Sequence, residues 1–355
     1  MESITNLRVG VGKFFYGSGC IAMLPREIRR LGGKPFFIGG ERSTRLVLDA
    51  CGDGLAQEGI LPSVHIHGGA CSRASAEELG RQALQEGCTV IVGIGGGKCL
   101  DLAKCAATFA KMDLINVPTS VATCAASSTV CIMYTAQGRP DGSVAMLKEV
   151  DVVIADTGLI ATAPKRTLAA GIFDSIAKYP EVIHNRIINS HLDCELEKYI
   201  CVVNSQAIYT FLLEEGGEVY EKGAQSPRFR DVVLTNLLHT SIVSGFSYGV
   251  DQLALAHGLY SFMRDAFTLE AGDVLHGEIV AVGVIMQMVF NGAPEAERER
   301  VIAAMRAMDM PLTLREIGFV HTPVNMEKLE AYLLQATALT PGDLPRLREA
   351  IATIC

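Results

Sequence analysis

Residues 89–111, TVIVGIGGGKCLDLAKCAATFAK, limit what this chain can fold into more than any other segment. The segment begins as an apolar run typical of a buried strand. It then passes through Gly93 to Gly97 and continues with helical spacing from Lys98 onward. The first turn of a helix carries backbone N–H groups without partners and a partial positive charge. Because glycines let an anion approach the backbone closely, the segment predicts a phosphate-binding strand–loop–helix unit.

Two common nucleotide-binding motifs do not match this loop. The phosphate loop of nucleotide hydrolases requires Gly-x4-Gly-Lys-Ser/Thr, but Val92 stands where the first glycine should be and Cys99 replaces the hydroxyl residue. The dinucleotide fingerprint Gly-x-Gly-x-x-Gly fails because its third glycine comes too early. Two features favour a ligand over a purely structural turn. Asp101 lies in the first helical turn, and a Pro-Thr-Ser sequence at 118–120 follows the next apolar run.

The rest of the first half alternates between strand and helix patterns. Strand patterns lie at 35–38, 63–67, 113–117 and 150–155. Helix patterns lie at 21–31, 43–51 and 75–86. This alternation predicts a parallel sheet with helices on both faces.

The second half has almost only helical periodicity. Its clearest segments are 169–183, 193–213, 231–244, 253–263, 274–289 and 344–354. At 355 residues the chain is long enough for two domains. We predict an α/β nucleotide-binding domain over residues 1–162 and an all-α domain over residues 163–355.

Composition excludes several classes of protein. The formal net charge of −8 and the lack of a Lys/Arg-rich patch argue against nucleic-acid binding. No apolar run is long enough to span a membrane without interruption, and the N-terminus does not resemble a secretory signal. The eleven cysteines include no CxxC pair, which favours reduced core thiols. We therefore expect a cytoplasmic protein with the composition of an ordinary α/β enzyme.

Three polar residues of the second half stand in apolar surroundings. Asp174 lies in AGIFDSIA, His257 in LALAHG, and His276 at the head of HGEIVAVG. Burying a lone carboxylate or imidazole is costly unless the group is paired or binds a metal. Each residue alone is most often a paired core residue, and spacing does not show that the three converge. Together they form a ligand set suited to Zn²⁺ with an open fourth position.

Five motifs carry a resemblance to a known family. They are GIGGGKCLDLAK, PTSVATCAASSTVCIMYT, AGIFDSIAK, ALAHG and LHGEIVAVG. In order and approximate spacing they resemble the glycerol dehydrogenase branch of the iron-containing (group III) alcohol dehydrogenase superfamily. The resemblance implies a dehydroquinate synthase-like fold, an α/β domain followed by a helical one. It also implies a homo-oligomeric, metal-dependent NAD(P) oxidoreductase that interconverts a small, polyol-like alcohol and its carbonyl compound.

The resemblance also assigns the site residues. By motif position, the metal ligands correspond to Asp174, His257 and His276. The pyrophosphate loop corresponds to Gly95, Gly96, Gly97, Lys98 and Asp101. Further contacts to the nicotinamide nucleotide correspond to Thr119, Ser120, Thr123, Ser128, Val130 and Tyr134. The metal would then polarise the substrate oxygen while the nicotinamide carries the redox chemistry.

Three positions in the proposed substrate pocket depart from the family pattern. Iron-using members have a histidine ligand four residues after the aspartate, where this chain has Lys178, so Zn²⁺ is favoured over Fe²⁺. Lys178 could hold an anionic substrate, or it could be a solvated or ion-paired lysine. Cys124 replaces an aspartate that bonds a substrate hydroxyl, which puts glycerol itself in doubt. Tyr260 replaces a second histidine and could relay a proton or fill space.

The residues at the end of the second strand do not decide between NAD and NADP. NAD-preferring members have an aspartate there, whereas this chain reads Gly-Gly-Glu-Arg at 39–42. Glu41 could accept from the ribose hydroxyls, which favours NAD. Arg42 could pair with a 2′-phosphate, which favours NADP.

Several other functions compete with the polyol reading. The segment VPTSVATCAASS also resembles hydroxycarboxylate dehydrogenases that reduce 2-oxo acids, which makes them the closest alternative. A non-redox lyase like 3-dehydroquinate synthase is more distant, because its ligand set begins with glutamate. A glycerol-1-phosphate dehydrogenase should have more basic residues than Arg264 between the two histidine motifs. A non-catalytic sensor would retain the same ligands without turnover.

Overall fold

The computed structural model describes residues 7–69, 71–184, 186, 188–246 and 254–355. Within these ranges the chain divides into two units. The first takes the residues up to Pro164 together with Ala224–Ile242. The second takes Lys165–Gly223 and Val243–Cys355.

Eight strands lie in the first unit, six of them in one parallel sheet. The strands are β1 (Lys13–Gly17), β2 (Pro35–Gly39), β3 (Ser63–Ile66), β4 (Val90–Gly95), β5 (Asp113–Pro118), β6 (Val130–Tyr134), β7 (Pro140–Ala145) and β8 (Val152–Asp156). The sheet has the order β1-β8-β5-β4-β2-β3. All of its pairs are parallel, which confirms the sheet predicted from the sequence.

Helices account for most of the remaining structure. In chain order they are α1 (Leu24–Arg30), α2 (Glu41–Gln57), α3 (Arg73–Gln85), α4 (Gly97–Ala110), α5 (Thr157–Ile160), α6 (Lys165–Ile176), α7 (Lys178–Val182), α8 (Leu196–Lys222), α9 (Phe229–Leu234), α10 (Thr240–Phe246), α11 (Leu255–Ala266), α12 (His276–Phe290), α13 (Glu295–Ala307), α14 (Pro323–Ala336) and α15 (Leu344–Ala352). A π-helical turn, Thr235–His239, joins α9 to α10. Short 3₁₀ turns are Cys20–Met23, Gly223–Gln225, Arg315–Ile317 and Pro341–Asp343.

Most residues of the central strands are apolar. Every residue of β2, β4 and β8 is buried, as expected for a parallel sheet covered on both faces. The edge strand β3 instead alternates between exposed and half-buried residues. The carboxyl ends of β2, β4 and β5 lie side by side, with Gly39 opposite Ile94 and Gly95 opposite Pro118. This edge is where ligands of parallel α/β sheets bind.

The hairpin formed by β6 and β7 was missed by the sequence analysis. The two strands pair antiparallel, outside the six-stranded sheet. Gly138, with a φ of +80°, lies in the turn between them. Strand β7, with the sequence PDGSVA, is mostly exposed, so its apolar and polar residues do not alternate clearly. Hydrophobic periodicity therefore could not reveal the hairpin.

The placement of residues 224–242 differs from the predicted domain division. The sequence analysis placed them in a second domain that begins at residue 163, yet they pack with the first unit. Helix α9 lies on β1 and α5, where the Arg230 guanidinium stacks 4.2 Å from the Tyr16 ring centroid. Asn236 donates to the carbonyl oxygen of Val121 over 3.5 Å. Helical periodicity could not show which sheet these residues cover, and the functional division into two domains stays a prediction.

Helix α12 forms the centre of the second unit. Its sequence HGEIVAVGVIMQMVF is apolar on all sides, which is typical of a helix buried on all sides. It packs against α6, α11, α13 and α15. The helix predicted at 169–183 is broken into α6 and α7, because Pro180 has no N–H to donate to the carbonyl of Ile176. The predicted start of a helix at Leu253 lies outside the described residues.

Two absences follow from the structure. No helix in the described part of the chain is long and apolar enough to cross a membrane. All eleven cysteines are free, in agreement with the predicted reduced thiols.

The buried carboxylate of Glu27 gives the first unit a pH-dependent contribution to stability. Lys13 Nζ lies 2.9 Å from its Oε1, and Arg30 Nε lies 2.6 Å from its Oε2. Burial raises the pKa of Glu27, but these two cations lower it below its ordinary value of 4.5. The stabilisation is therefore fully present above pH 4.5 and is lost as the pH falls through the lower, folded pKa.

We expect Glu27→Gln to lower the free energy of unfolding by about 1.5–3 kcal/mol at pH 7. Urea unfolding at pH 7 and in steps below pH 4.5 would measure the difference between variant and parent. That difference should shrink as the pH falls. Glu58→Gln, which breaks an exposed pair with Arg29, serves as the control and should change stability by less than about 1 kcal/mol. A pH-independent difference for Glu27→Gln would contradict the assignment.

Candidate active site

The glycine loop lies at the carboxyl edge of the sheet, between β4 and α4. Gly96 is the N-cap of α4 and supplies no side-chain cap to the first turn. A Cβ at Gly96 would lie 3.1 Å from Ser120 Oγ, and one at Gly97 would lie 3.0 Å from Thr123 Oγ1. The backbone N–H of Thr119 donates to Gly95 O over 3.0 Å. The structure thus brings these predicted nucleotide residues together around an uncapped helix N-terminus.

Two further predicted nucleotide residues meet beside this loop. The Lys98 ammonium lies 5.5 Å from the centroid of the Tyr134 ring, within the range of a cation–π interaction. The pair joins the first turn of α4 to the end of β6. A cation at this position adds to the positive potential of the helix N-terminus.

A buried lysine that the sequence analysis missed organises the remaining predicted nucleotide residues. Lys104 is fully buried, and its Nζ lies 2.7 Å from Asp101 Oδ1. The same ammonium donates to Ser128 Oγ (2.9 Å), Ser128 O (3.2 Å) and Val130 O (2.6 Å). Asp101 Oδ2 accepts from the backbone N–H of Ile132 over 3.2 Å. Asp101, Ser128 and Val130 therefore belong to an internal polar network that fixes β6 against α4.

Glu41 and Arg42 lie at the start of α2, next to the glycine loop. Ser43 Oγ lies 3.4 Å from Ile94 O, which ties this helix start to β4. The Glu41 carboxylate is exposed and pairs with Arg45 over 3.2 Å. Arg42 donates to Thr162 O over 3.4 Å. The two residues that could bind the ribose hydroxyls or a 2′-phosphate thus already have partners within their own unit.

The three candidate metal ligands converge in the second unit. Asp174 comes from α6, His257 from α11 and His276 from the first turn of α12. His257 Nε2 lies 3.3 Å from Asp174 Oδ1, and His276 Nε2 lies 3.1 Å from the same oxygen. One donor atom from each residue lies within 4.8 Å of the others. Within the described ranges this is the only group of His, Cys, Asp and Glu side chains that could hold a metal ion.

The surroundings of the cluster shift the pKa values of its three residues in different directions. Burial raises the pKa of Asp174, but His276, His257 and Lys178 together hold it well below its usual value. Burial, with His257 and Lys178, lowers the pKa of His276 although Asp174 raises it, which favours the neutral ring that ligates metals. Burial also lowers the pKa of His257, but Glu181 and Asp174 raise it above its ordinary value. One anionic oxygen and two imidazole nitrogens are a common donor set for Zn²⁺. The residues present therefore fit a divalent metal.

Two carboxylates hold the helices that carry the histidines. Glu181 lies against His257, with its Oε2 2.5 Å from His257 Nδ1. Glu278 Oε2 accepts from the backbone N–H of Leu275, just before His276, over 2.7 Å. The same oxygen accepts from Arg166 Nη2 over 2.6 Å, which ties the start of α12 to α6. The sequence offered a weak signal for Glu181, since it stands seven residues after Asp174, two helical turns away.

The three predicted substrate-pocket residues have different surroundings. Tyr260 packs edge-on against His276, with ring centroids 4.1 Å apart. Lys178 is buried at the start of α7, which excludes the solvated reading, and its charge acts on Asp174. Cys124 lies in the first unit, where its carbonyl oxygen accepts from the backbone N–H groups of Ser127 and Ser128. Their roles toward a substrate stay predictions.

Two glycines of α12 allow the ligand-bearing helices to approach closely. A Cβ at Gly283 would lie 2.6 Å from the Cα of Ala256, the residue before His257. A Cβ at Gly277 would overlap the carbonyl oxygen of Ala170 in α6. The contacts involve backbone atoms, which cannot rotate away as a flexible side chain can.

We expect Gly277→Ala to lower the free energy of unfolding by about 1–3 kcal/mol, the range of core overpacking. It should also weaken zinc binding, because His276 is the adjacent residue. Gly217→Ala in α8 is the matched control, since a Cβ there meets nothing within 4 Å. That change should stabilise the chain by about 0.5–1 kcal/mol. Equal unfolding midpoints for the two variants would contradict the packing argument.

Comparisons with known proteins identify relatives of this chain and solved structures with a similar fold. A family model for iron-containing alcohol dehydrogenases matches residues 12–157. The glycerol dehydrogenase of Thermotoga maritima is 30% identical over 314 residues, covering 86% of this chain and 83% of that protein. The glycerol dehydrogenase of Pseudomonas putida is 27% identical over 338 residues, covering 94% of this chain and 91% of that protein. The crystal structure of the Schizosaccharomyces pombe glycerol dehydrogenase has a similar fold, with a TM-score of 0.81 at 22% identity over 99% of this chain and 92% of that one.

Proposed function

The chain belongs to the iron-containing alcohol dehydrogenase superfamily, in its glycerol dehydrogenase-like branch, and from that premise we propose a zinc- and NAD(P)-dependent interconversion of a small polyol and its carbonyl compound. The observation that carries the proposal is the convergence of Asp174, His257 and His276 within 4.8 Å. The relatives reported above are named as glycerol dehydrogenases. The 2-oxo acid reductase and lyase alternatives gain no support from them.

Lys178 supports zinc as the metal. It occupies the position where iron-using relatives place a fourth ligand, a histidine, and it offers the metal no imidazole nitrogen. Three protein ligands then remain, which is the usual number in catalytic zinc sites. When bound, the metal supplies Lewis-acid stabilisation of charge on the substrate oxygen, and the nicotinamide supplies the hydride chemistry.

The residues of the chain have distinct tasks in this proposal. Asp174, His257 and His276 hold and orient the metal. The uncapped first turn of α4 and Lys98 attract the pyrophosphate. Tyr260 fixes the ring of His276 by edge-on packing. Asp101 acts within the Lys104 network instead of contacting the pyrophosphate directly.

Metal-dependent turnover by the purified chain tests the proposal. The protein would be stripped with a chelator and reloaded with Zn²⁺ or Fe²⁺. Glycerol, dihydroxyacetone, small aldehydes and 2-oxo acids would each be assayed with NAD(H) and NADP(H). We expect turnover of a polyol or its carbonyl compound that Zn²⁺ restores. Turnover that survives complete metal removal, or none on any substrate with either nucleotide, would contradict the proposal.

A further inference from the structure

Glu181 holds His257 by two different groups of that residue. Its Oε1 accepts from the backbone N–H of His257 over 2.8 Å, and its Oε2 lies 2.5 Å from the ring nitrogen Nδ1. The Glu181 side chain is only 1% exposed. A carboxylate this deeply buried needs hydrogen bonds to both of its oxygens to offset its loss of solvation. Each of its two oxygens obtains one from the same histidine.

The contact determines which ring nitrogen of His257 carries the proton. An ionised carboxylate can only accept, so Nδ1 must be the donor. In the neutral ring, which is the form that ligates a metal, Nε2 then keeps its lone pair, and it is the nitrogen that faces Asp174 at 3.3 Å. We propose that Glu181 is a positioning residue for the metal site, which fixes both the tautomer and the ring orientation of His257. This inference rests on the metal site proposed above.

The backbone contact adds a second constraint on the same residue. His257 is the third residue of α11, so its N–H belongs to the helix turn that has no intrahelical acceptors. Gln287 Oε1 accepts from the N–H of Leu255, the first residue of that helix, over 2.7 Å. Glu181 and Gln287 thus cap α11 from two sides. The position of the His257 backbone and the rotation of its ring are set by one carboxylate.

Replacement of Glu181 by glutamine separates this role from simple filling of space. The amide has nearly the same shape, but only one of its two polar atoms can accept. If the oxygen serves the backbone N–H, the NH₂ group faces Nδ1 and favours a proton on Nε2, which blocks metal binding. If the amide is reversed, two donors face each other at the backbone. Neither orientation reproduces both contacts.

Zinc affinity measured by competition with a chromogenic chelator is the decisive experiment. We expect Glu181→Gln to bind Zn²⁺ about 10–100-fold more weakly than the parent protein. Glu297→Gln is the matched control, because Glu297 accepts from Tyr209 in the same unit and should leave the affinity unchanged. Equal affinity in a folded Glu181→Gln protein would overturn the inference. Lack of zinc binding by the parent protein would overturn the metal site itself.

A second measurement does not depend on the Glu181→Gln variant. In zinc-loaded parent protein carrying ¹⁵N-labelled histidine, the resonances of His257 are identified by their loss in His257→Ala. We expect a proton on Nδ1 of His257. A proton on Nε2, or a metal bond at Nδ1, would overturn the inference.

Discussion

Replacing Asp174 by asparagine is expected to lower kcat/KM by about 10³-fold or more and to remove stoichiometric zinc. The carboxylate is the only anionic ligand in the set, and it lies within 3.3 Å of both histidine Nε2 atoms. An asparagine NH₂ would donate to an imidazole nitrogen and occupy its lone pair. Loss of Lewis-acid catalysis removes several kcal/mol of transition-state stabilisation, at one factor of ten per 1.36 kcal/mol. Metal analysis and steady-state kinetics would measure both effects.

Asp265→Asn provides the control for this change. Asp265 is an exposed acid near the end of α11, in the same unit as the cluster. The Asp265→Asn variant should retain the zinc content and turnover of the parent protein. Full zinc occupancy in Asp174→Asn with undiminished kcat/KM would show that the three residues are not the metal site.

Replacing Lys104 by methionine is expected to lower the free energy of unfolding by about 3–5 kcal/mol. The change leaves the buried carboxylate of Asp101 without its cation. It also removes the donor for Ser128 Oγ and for the carbonyl oxygens of Ser128 and Val130. Because these residues begin the β6 hairpin, nucleotide affinity should fall as well. Urea unfolding and nucleotide titration would measure the two effects.

Lys111→Met at the exposed end of the same helix is the matched control. It removes the same charge without exposing a buried partner, so the free energy of unfolding should change by no more than about 0.5 kcal/mol. A small effect at both positions would mean that the buried network contributes little to stability.

Local patterns were enough to predict the sheet and the candidate ligands. β2 and β4 are continuous apolar runs followed by glycines, and that pattern predicts a buried parallel strand before a helix. Asp174, His257 and His276 stood out because each is a polar residue within an otherwise apolar helix. Both signals are contained within about ten residues of chain, so no tertiary information was needed to see them.

The supporting residues depend on contacts between distant parts of the chain. Glu181 and His257 are 76 residues apart in sequence, and Lys104 meets Ser128 and Val130 across 24 and 26 residues. A lysine in a helix usually faces water, and nothing local marks Lys104 as buried. The resemblance assigned Asp101 to the pyrophosphate loop by motif position. The structure instead directs its carboxylate to Lys104 and the start of β6.

Residues 224–242 belong to the first unit, so the ribosome must synthesise them before that unit can finish folding. The last of these residues follows Pro164 by 78 positions (242 − 164 = 78). At about 5–20 residues per second, translation of that stretch takes roughly 4–16 s. For most of that interval, until α9 is complete at Leu234, the nascent chain contains all six strands of its sheet but lacks this helix, which covers β1 and α5. A nascent-chain chaperone therefore has several seconds in which this uncovered flank is available to it.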